Sequence, residues 1–142
     1  MGASQYLIRR VLWEHGPKIV EHTPDGEKWR GFATAKELDE VSQGIALISL
    51  TGHTPGRACV AVDAGHRWVV HCGDAFFHHR TVDGTAPMPR ALAAFETVTA
   101  FDRKMMRQNH ARLTELYRRS EADMFMVCSH DRTLYEKAKA TA

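Results

Sequence analysis

The residue order predicts a mixed α/β (α+β) fold in which strands come first, helices follow, and one more strand and helix close the chain. Three observations carry this. Residues 44–72 hold three short runs rich in apolar and β-branched residues, separated by breaks that contain Gly or Pro. Residues 91–119 place their apolar side chains at helical spacing. A further short apolar run at 124–128 is followed by a polar turn and a last helical stretch. That order suits helices layered on a sheet.

Taken in turn, residues 1–40 read as an irregular lead-in, with turns at Gly16-Pro17 and Pro24-Asp25-Gly26 and a short helix over 5–13. Trp29, Phe32 and Leu38 are its candidates for packing on a core. Residues 44–50 (GIALISL) read as a buried strand and 51–56 (TGHTPG) as a loop. Residues 58–62 and 67–72 form a hairpin across the turn Asp63-Ala64-Gly65-His66, and Gly73-Asp74 ends it. Gly84, Pro87 and Pro89 mark 80–90 as a loop. A helix over 91–101 carries Phe95, Val98 and Phe101 on one face. Asp102 then caps a second helix running to about Arg119, where Met105, Met106, Asn109, Leu113, Leu116 and Tyr117 keep helical spacing. Residues 124–128 (MFMVC) are a strand, Ser129-His130-Asp131 is its polar end, and 132–140 is a terminal helix.

Composition narrows the function classes. With 44% hydrophobic and 25% charged residues, the chain is an ordinary folding sequence rather than a disordered one. Nineteen Lys and Arg against seventeen Asp and Glu leave +2, with the basic residues scattered, so no nucleic-acid partner is expected. No apolar run is long enough to cross a bilayer, and Arg9 and Arg10 interrupt the opening apolar stretch, so neither a membrane span nor a secretory leader is expected. Three cysteines, an odd number and widely spaced, argue against a disulfide framework and for a reducing cytoplasm.

The chemistry-bearing residues fall where strands end. His53 lies in TGHTPG, Asp74 in CGDAFF and His130 in CSHD. Two imidazoles and a carboxylate at one sheet edge make a zinc or iron site, and Gly52, Gly56 and Gly73 allow the backbone to turn sharply beside it. Each has a plainer reading. His53 alone is a solvated loop histidine and Asp74 alone a turn aspartate. His130 alone is a bystander beside a helix cap made by Ser129 or Asp131. His78 and His79 follow Asp74 closely and are candidates for substrate or metal contact, with surface loop histidines as the plainer alternative. Cys72 and Cys128 read as small buried hydrophobes rather than thiolate ligands.

The order G-H-T-P-G, hairpin, G-D, helices, then S-H-D after a strand resembles the metallo-β-lactamase superfamily over roughly residues 41–142. The resemblance implies the C-terminal ββ/α half of a four-layer αββα fold. It implies His53 as a ligand of a first metal, Asp74 as a bridge, and His130 as a ligand of a second, with two zinc ions, or iron or manganese, as cofactors. Asp131 is a candidate second-layer acceptor orienting an imidazole. The family motif H-x-H-x-D-H, expected upstream, is not in this sequence. The missing ligands are therefore expected from upstream sequence or a partner chain, unless the gene is truncated. Two functions follow from the resemblance. One is a hydrolase of small-molecule substrates, in which metal-bound hydroxide attacks an ester, thioester, lactone or similar bond. The other is a truncated, non-catalytic member that self-associates as an interaction module, its exposed half-fold surface favouring a homo-oligomer.

Overall fold

Alternating burial along the first half of the chain lays down strands that pair with their sequence neighbours. The computed structural model describes residues 14–23, 25–119 and 123–141; the helix expected over 5–13 and the turn residue Pro24 lie outside the described residues. The strands are β1 (Glu27–Trp29), β2 (Phe32–Glu37), β3 (Ile45–Ser49), β4 (Ala58–Asp63), β5 (Trp68–His71) and β6 (Met124–Val127). They form one mixed sheet in the order β1-β2-β3-β4-β5-β6, antiparallel throughout except for the parallel β5–β6 pair. A parallel pair needs a crossover. The helices α1 (Arg80–Asp83), α2 (Arg90–Thr99) and α3 (Arg103–Arg119) lie within it, and α4 (Arg132–Ala140) follows β6. This is the α+β arrangement that the sequence predicts.

Two expectations are corrected. Residues 27–37 are not irregular but form the β1–β2 hairpin. Its turn is Arg30-Gly31, both at positive φ (44° and 94°), as two-residue hairpin turns require. Arg is an uncommon residue for that position, and β2 (FATAKE) alternates with small side chains, so neither stands out as a strand signal. The 80–90 loop contains the short helix α1, closed by Gly84 in the left-handed conformation. The Asp102 cap is present: its carboxylate accepts the Met105 N–H at 2.9 Å.

Register sorts the strand residues onto two faces. Ala35, Ile48 and Cys59 share one face, as do Ala46, Ala61, Val70 and Met126. They are buried together with Val82 of α1, Leu113 and Leu116 of α3, and Leu134 of α4. Fully burying a side chain such as Leu113 is worth about 1.5–3 kcal/mol. The three cysteines, Cys59, Cys72 and Cys128, are also buried and unpaired as disulfides. On the other face the register aligns Lys36, Leu47, Val60, His71 and Val127 in one row, and Ile45, Val62, Val69 and Phe125 in the next. Most of that face is apolar, yet its residues are only partly covered or exposed. Phe95 and Val98 of α2, and Phe101 just after it, are exposed as well, at 56%, 74% and 64%.

Candidate metal centre

The loop after β3, the turn after β5 and the turn after β6 emerge at one edge of the sheet. β4 starts where β3 ends, and His71 at the end of β5 pairs with Val60 of β4 and with Val127 of β6. Two backbone bonds extend the last pairing past the strands, Cys72 N–H to Val127 O at 2.8 Å and Ser129 N–H to Gly73 O at 2.9 Å. They hold Asp74 beside His130.

The first loop is anchored onto α3. Asn109, buried on that helix, donates from Nδ2 to Thr51 O at 2.5 Å. Asp102 N–H donates to Gly52 O at 2.8 Å and Phe101 N–H to His53 O at 3.2 Å. Gly52 sits at φ +144°, and a Cβ there would lie 2.7 Å from the Met106 backbone nitrogen. Only glycine lets the loop approach the helix this closely.

Asp74 is the centre of the cluster. Its Oδ1 is 3.0 Å from His130 Nε2, and its Oδ2 accepts from Arg57 Nη2 at 2.6 Å. Partial burial works to raise its pKa. The hydrogen bond and charge of Arg57, helped by His130 and Ser129, outweigh that and hold the carboxyl below its usual range. His53 is within electrostatic reach of Arg57, Asp74 and His130. Partial burial, with Arg57 and His130, lowers its pKa against the pull of Asp74. The Phe77 ring contacts both imidazoles in T-shaped geometry, its centroid 5.6 Å from that of His53 and 4.7 Å from that of His130. Asp74 thus pairs with His130, and Phe77 contacts the imidazoles of both His53 and His130.

A second group lies on the same two turns. Asp131, only 7% exposed, accepts the His79 N–H at 2.5 Å and lies 2.7 Å from His79 Nδ1. It also caps α4 through the Leu134 N–H at 3.1 Å. His78 Nδ1 is 3.9 Å from Asp131 Oδ2, and the two histidine rings are 4.2 Å apart. Burial alone would raise the Asp131 pKa, but the backbone N–H groups of His79 and Leu134 and the His79 ring lower it below its ordinary value. Donor atoms of His78, His79 and Asp131 all lie within 4.8 Å of one another.

Three further residues shape the site. Arg57 follows G-H-T-P-G directly, and its guanidinium binds the carboxylate that the sequence marks as a ligand. Phe77 is the second aromatic of AFF. Glu96, on α2 and 3% exposed, accepts the Phe77 N–H at 2.7 Å. Burial raises the Glu96 pKa against the effects of His110 and of that N–H. The local signals for these residues are weak, since each role depends on contacts with residues distant in the chain, 17 residues away for Arg57 and Asp74 and 19 for Phe77 and Glu96.

The donor chemistry fits a divalent cation. The set is two imidazoles and a carboxylate, the nitrogen and oxygen ligands that zinc and iron accept. Asp74 is ionised at neutral pH, as a ligand must be.

No known protein-family profile matches the chain. Two curated relatives, named as probable metallo-hydrolases of Mycobacterium bovis and Mycobacterium tuberculosis, are each 54% identical to it over 134 residues. The alignment covers 94% of this chain and 43% of each relative, so the chain spans less than half their length. Among solved structures, an N-acyl homoserine lactone hydrolase with N-hexanoyl-L-homoserine at its catalytic metal centre superposes at TM-score 0.50. It is 19% identical, and the match covers 77% of this chain and 37% of that one. A quorum-quenching N-acyl homoserine lactone lactonase superposes at 0.51 with 18% identity, covering 75% and 38%. At this identity the structural likeness speaks for fold alone.

Proposed function

We propose that the chain is a member of the metallo-β-lactamase superfamily, and that it carries part of the centre of a metal-dependent hydrolase acting on a small-molecule ester, thioester, lactone or similar bond, a reading supported by its metallo-hydrolase relatives and its lactonase-like fold. His53, Asp74 and His130 are the metal ligands in this reading, and further ligands come from outside the chain described. The observation that carries it is the 3.0 Å approach of His130 Nε2 to Asp74 Oδ1, with His53 facing the same Phe77 ring. Zinc is the favoured ion, with iron or manganese suited to the same donors.

Each residue has a task. Asp74 supplies negative charge at neutral pH, because Arg57 keeps its proton off. His53, its pKa lowered by burial first, presents a neutral imidazole with a lone pair. Phe77 packs edge-to-face against both imidazole rings and so restricts their orientation. A divalent cation bound there supplies Lewis acidity and lowers the pKa of water towards neutrality. The test is metal content and ester turnover of the protein purified from its own cell, compared with an Asp74→Ala variant. Loss of both is expected, and full turnover in the variant would sink the reading.

The apolar second face of the sheet favours a covering layer as well. We propose that the remainder of a longer protein, or a second copy of this chain, packs on the rows through Leu47–Val60 and Val62–Val69–Phe125. Light scattering with elemental analysis separates the outcomes. A metal-poor homodimer favours the self-associating interaction module over the hydrolase, whereas a metal-loaded species favours the hydrolase.

A further inference from the structure

The turns after β5 and β6 carry Asp74 and His130, and one buried carboxylate ties them together. Asp131 Oδ2 takes the His79 backbone N–H at 2.5 Å and faces His79 Nδ1 at 2.7 Å, while Oδ1 takes the Leu134 N–H at 3.1 Å. Three donors on one buried carboxylate leave it little freedom to move. Its neighbour in sequence is His130, and His79 lies on the turn that begins at Asp74. The same two turns are joined on their other side by Ser129 N–H to Gly73 O at 2.9 Å. His78 belongs to the same group; its Nδ1 accepts the Arg80 N–H at 3.2 Å, which engages one of its two ring nitrogens. Within this group, whose donor atoms lie within 4.8 Å of one another, His79 and Asp131 are joined directly by hydrogen bonds.

We propose that Asp131 and His79 form a positioning clamp that fixes the spacing of Asp74 and His130. Carboxylate–imidazole pairs of this kind orient groups around metal sites, and losing one costs about 10–100-fold in metal affinity. The clamp's effect on metal rests on the reading of Asp74 and His130 as ligands.

The test uses the full protein as its cell makes it. Asp131→Asn keeps an oxygen for the Leu134 cap but presents a donor where His79 needs an acceptor; His79→Ala cuts the same tie from the other side. Zinc affinity is read by competition with a chelator, and Ser129 amide exchange by NMR. Both variants are expected to bind zinc about 10–100-fold more weakly and to exchange the Ser129 N–H faster. The double variant should be no weaker than the weaker single variant, because both remove one link. Leu116→Ala, a core change away from both turns, should lower stability yet leave the zinc affinity of the folded protein unchanged. Wild-type zinc affinity in both clamp variants would overturn the proposal, and so would an equal loss in Leu116→Ala. Should the unmutated protein bind no zinc, the hydrolase reading fails by itself, and unchanged Ser129 exchange in the variants would then overturn the clamp.

Discussion

Replacing Arg57 by Leu isolates the charge pair at the centre of the cluster, because the apolar stem is kept and the guanidinium removed. The pair is short, 2.6 Å, and partly buried, with side chains 17% and 32% exposed. It lies between a surface pair, worth about 0–1 kcal/mol, and a buried pair, whose breaking costs about 3–5 kcal/mol. A charge-assisted hydrogen bond in this setting contributes about 1.5–3 kcal/mol. For a chain of this size that lowers the melting temperature by about 4–10 °C. The sign of the pH dependence follows from Asp74. Its carboxyl titrates below its ordinary value in the folded protein, so the stability it provides is complete above the unfolded pKa, about 3.9, and is lost as pH falls through the folded pKa. Urea melts of both proteins, run with a chelator to keep the site metal-free, should differ fully at neutral pH. The difference should close as the solution is taken below the unfolded pKa. No difference at neutral pH, or one that persists undiminished in acid, would refute the reasoning.

Glu96→Gln keeps an oxygen for the Phe77 N–H and removes a buried charge. Burial raises the Glu96 pKa, so its protonated form is favoured on folding, and that advantage fades as pH rises through the folded value. The variant should be at least as stable as the original protein at neutral pH and should lose its relative gain below the unfolded carboxyl range; calorimetry across that range checks it. Gly52→Ala puts a Cβ 2.7 Å from the Met106 backbone nitrogen in a conformation that L side chains rarely adopt. A loss above about 3 kcal/mol is expected from strain and clash together, and a near-neutral denaturant midpoint would contradict the close packing of loop on helix. Gly73→Ala, at φ +55°, puts a Cβ 2.7 Å from Arg57 Nη1, in the guanidinium that binds Asp74. It should cost about 1–2 kcal/mol for the backbone plus part of the Arg57–Asp74 pair, about 1.5–3 kcal/mol, and the same denaturation series in the Arg57→Leu background should return the backbone cost alone.

Much of this architecture is legible in the sequence because the signals are local. The runs that become β3, β4, β5 and β6 are dense in β-branched or apolar residues, and Asp102 announces α3 with a side chain that needs no tertiary context. The β1–β2 hairpin is not, because Ala33, Thr34 and Ala35 are too small to mark alternation and Arg30 accepts positive φ only under tertiary constraint. The site divides in the same way. His53, Asp74 and His130 each follow a strand and carry unusual flanking residues. Arg57, Phe77 and Glu96 take their places from contacts between distant segments, and short-range pattern carries little of that. Asp131 is the intermediate case. Its place before a helix suggests a cap, which it is, but the link to His79 spans 52 residues.

The buried thiols have a consequence of another kind. Cys72 has its pKa raised well above the ordinary value by Cys59 and by burial, and burial raises that of Cys128 as well. Thiols are modified as thiolates, so alkylating reagents meet these side chains when the sheet opens. The three belong to consecutive strands: Cys59 in β4, Cys72 just after β5, Cys128 just after the edge strand β6. The protein therefore carries its own three-channel recorder of opening. Adducts that accumulate together register an all-or-none event, whereas adducts that begin at Cys128 and move inwards register a sheet that peels from its parallel edge.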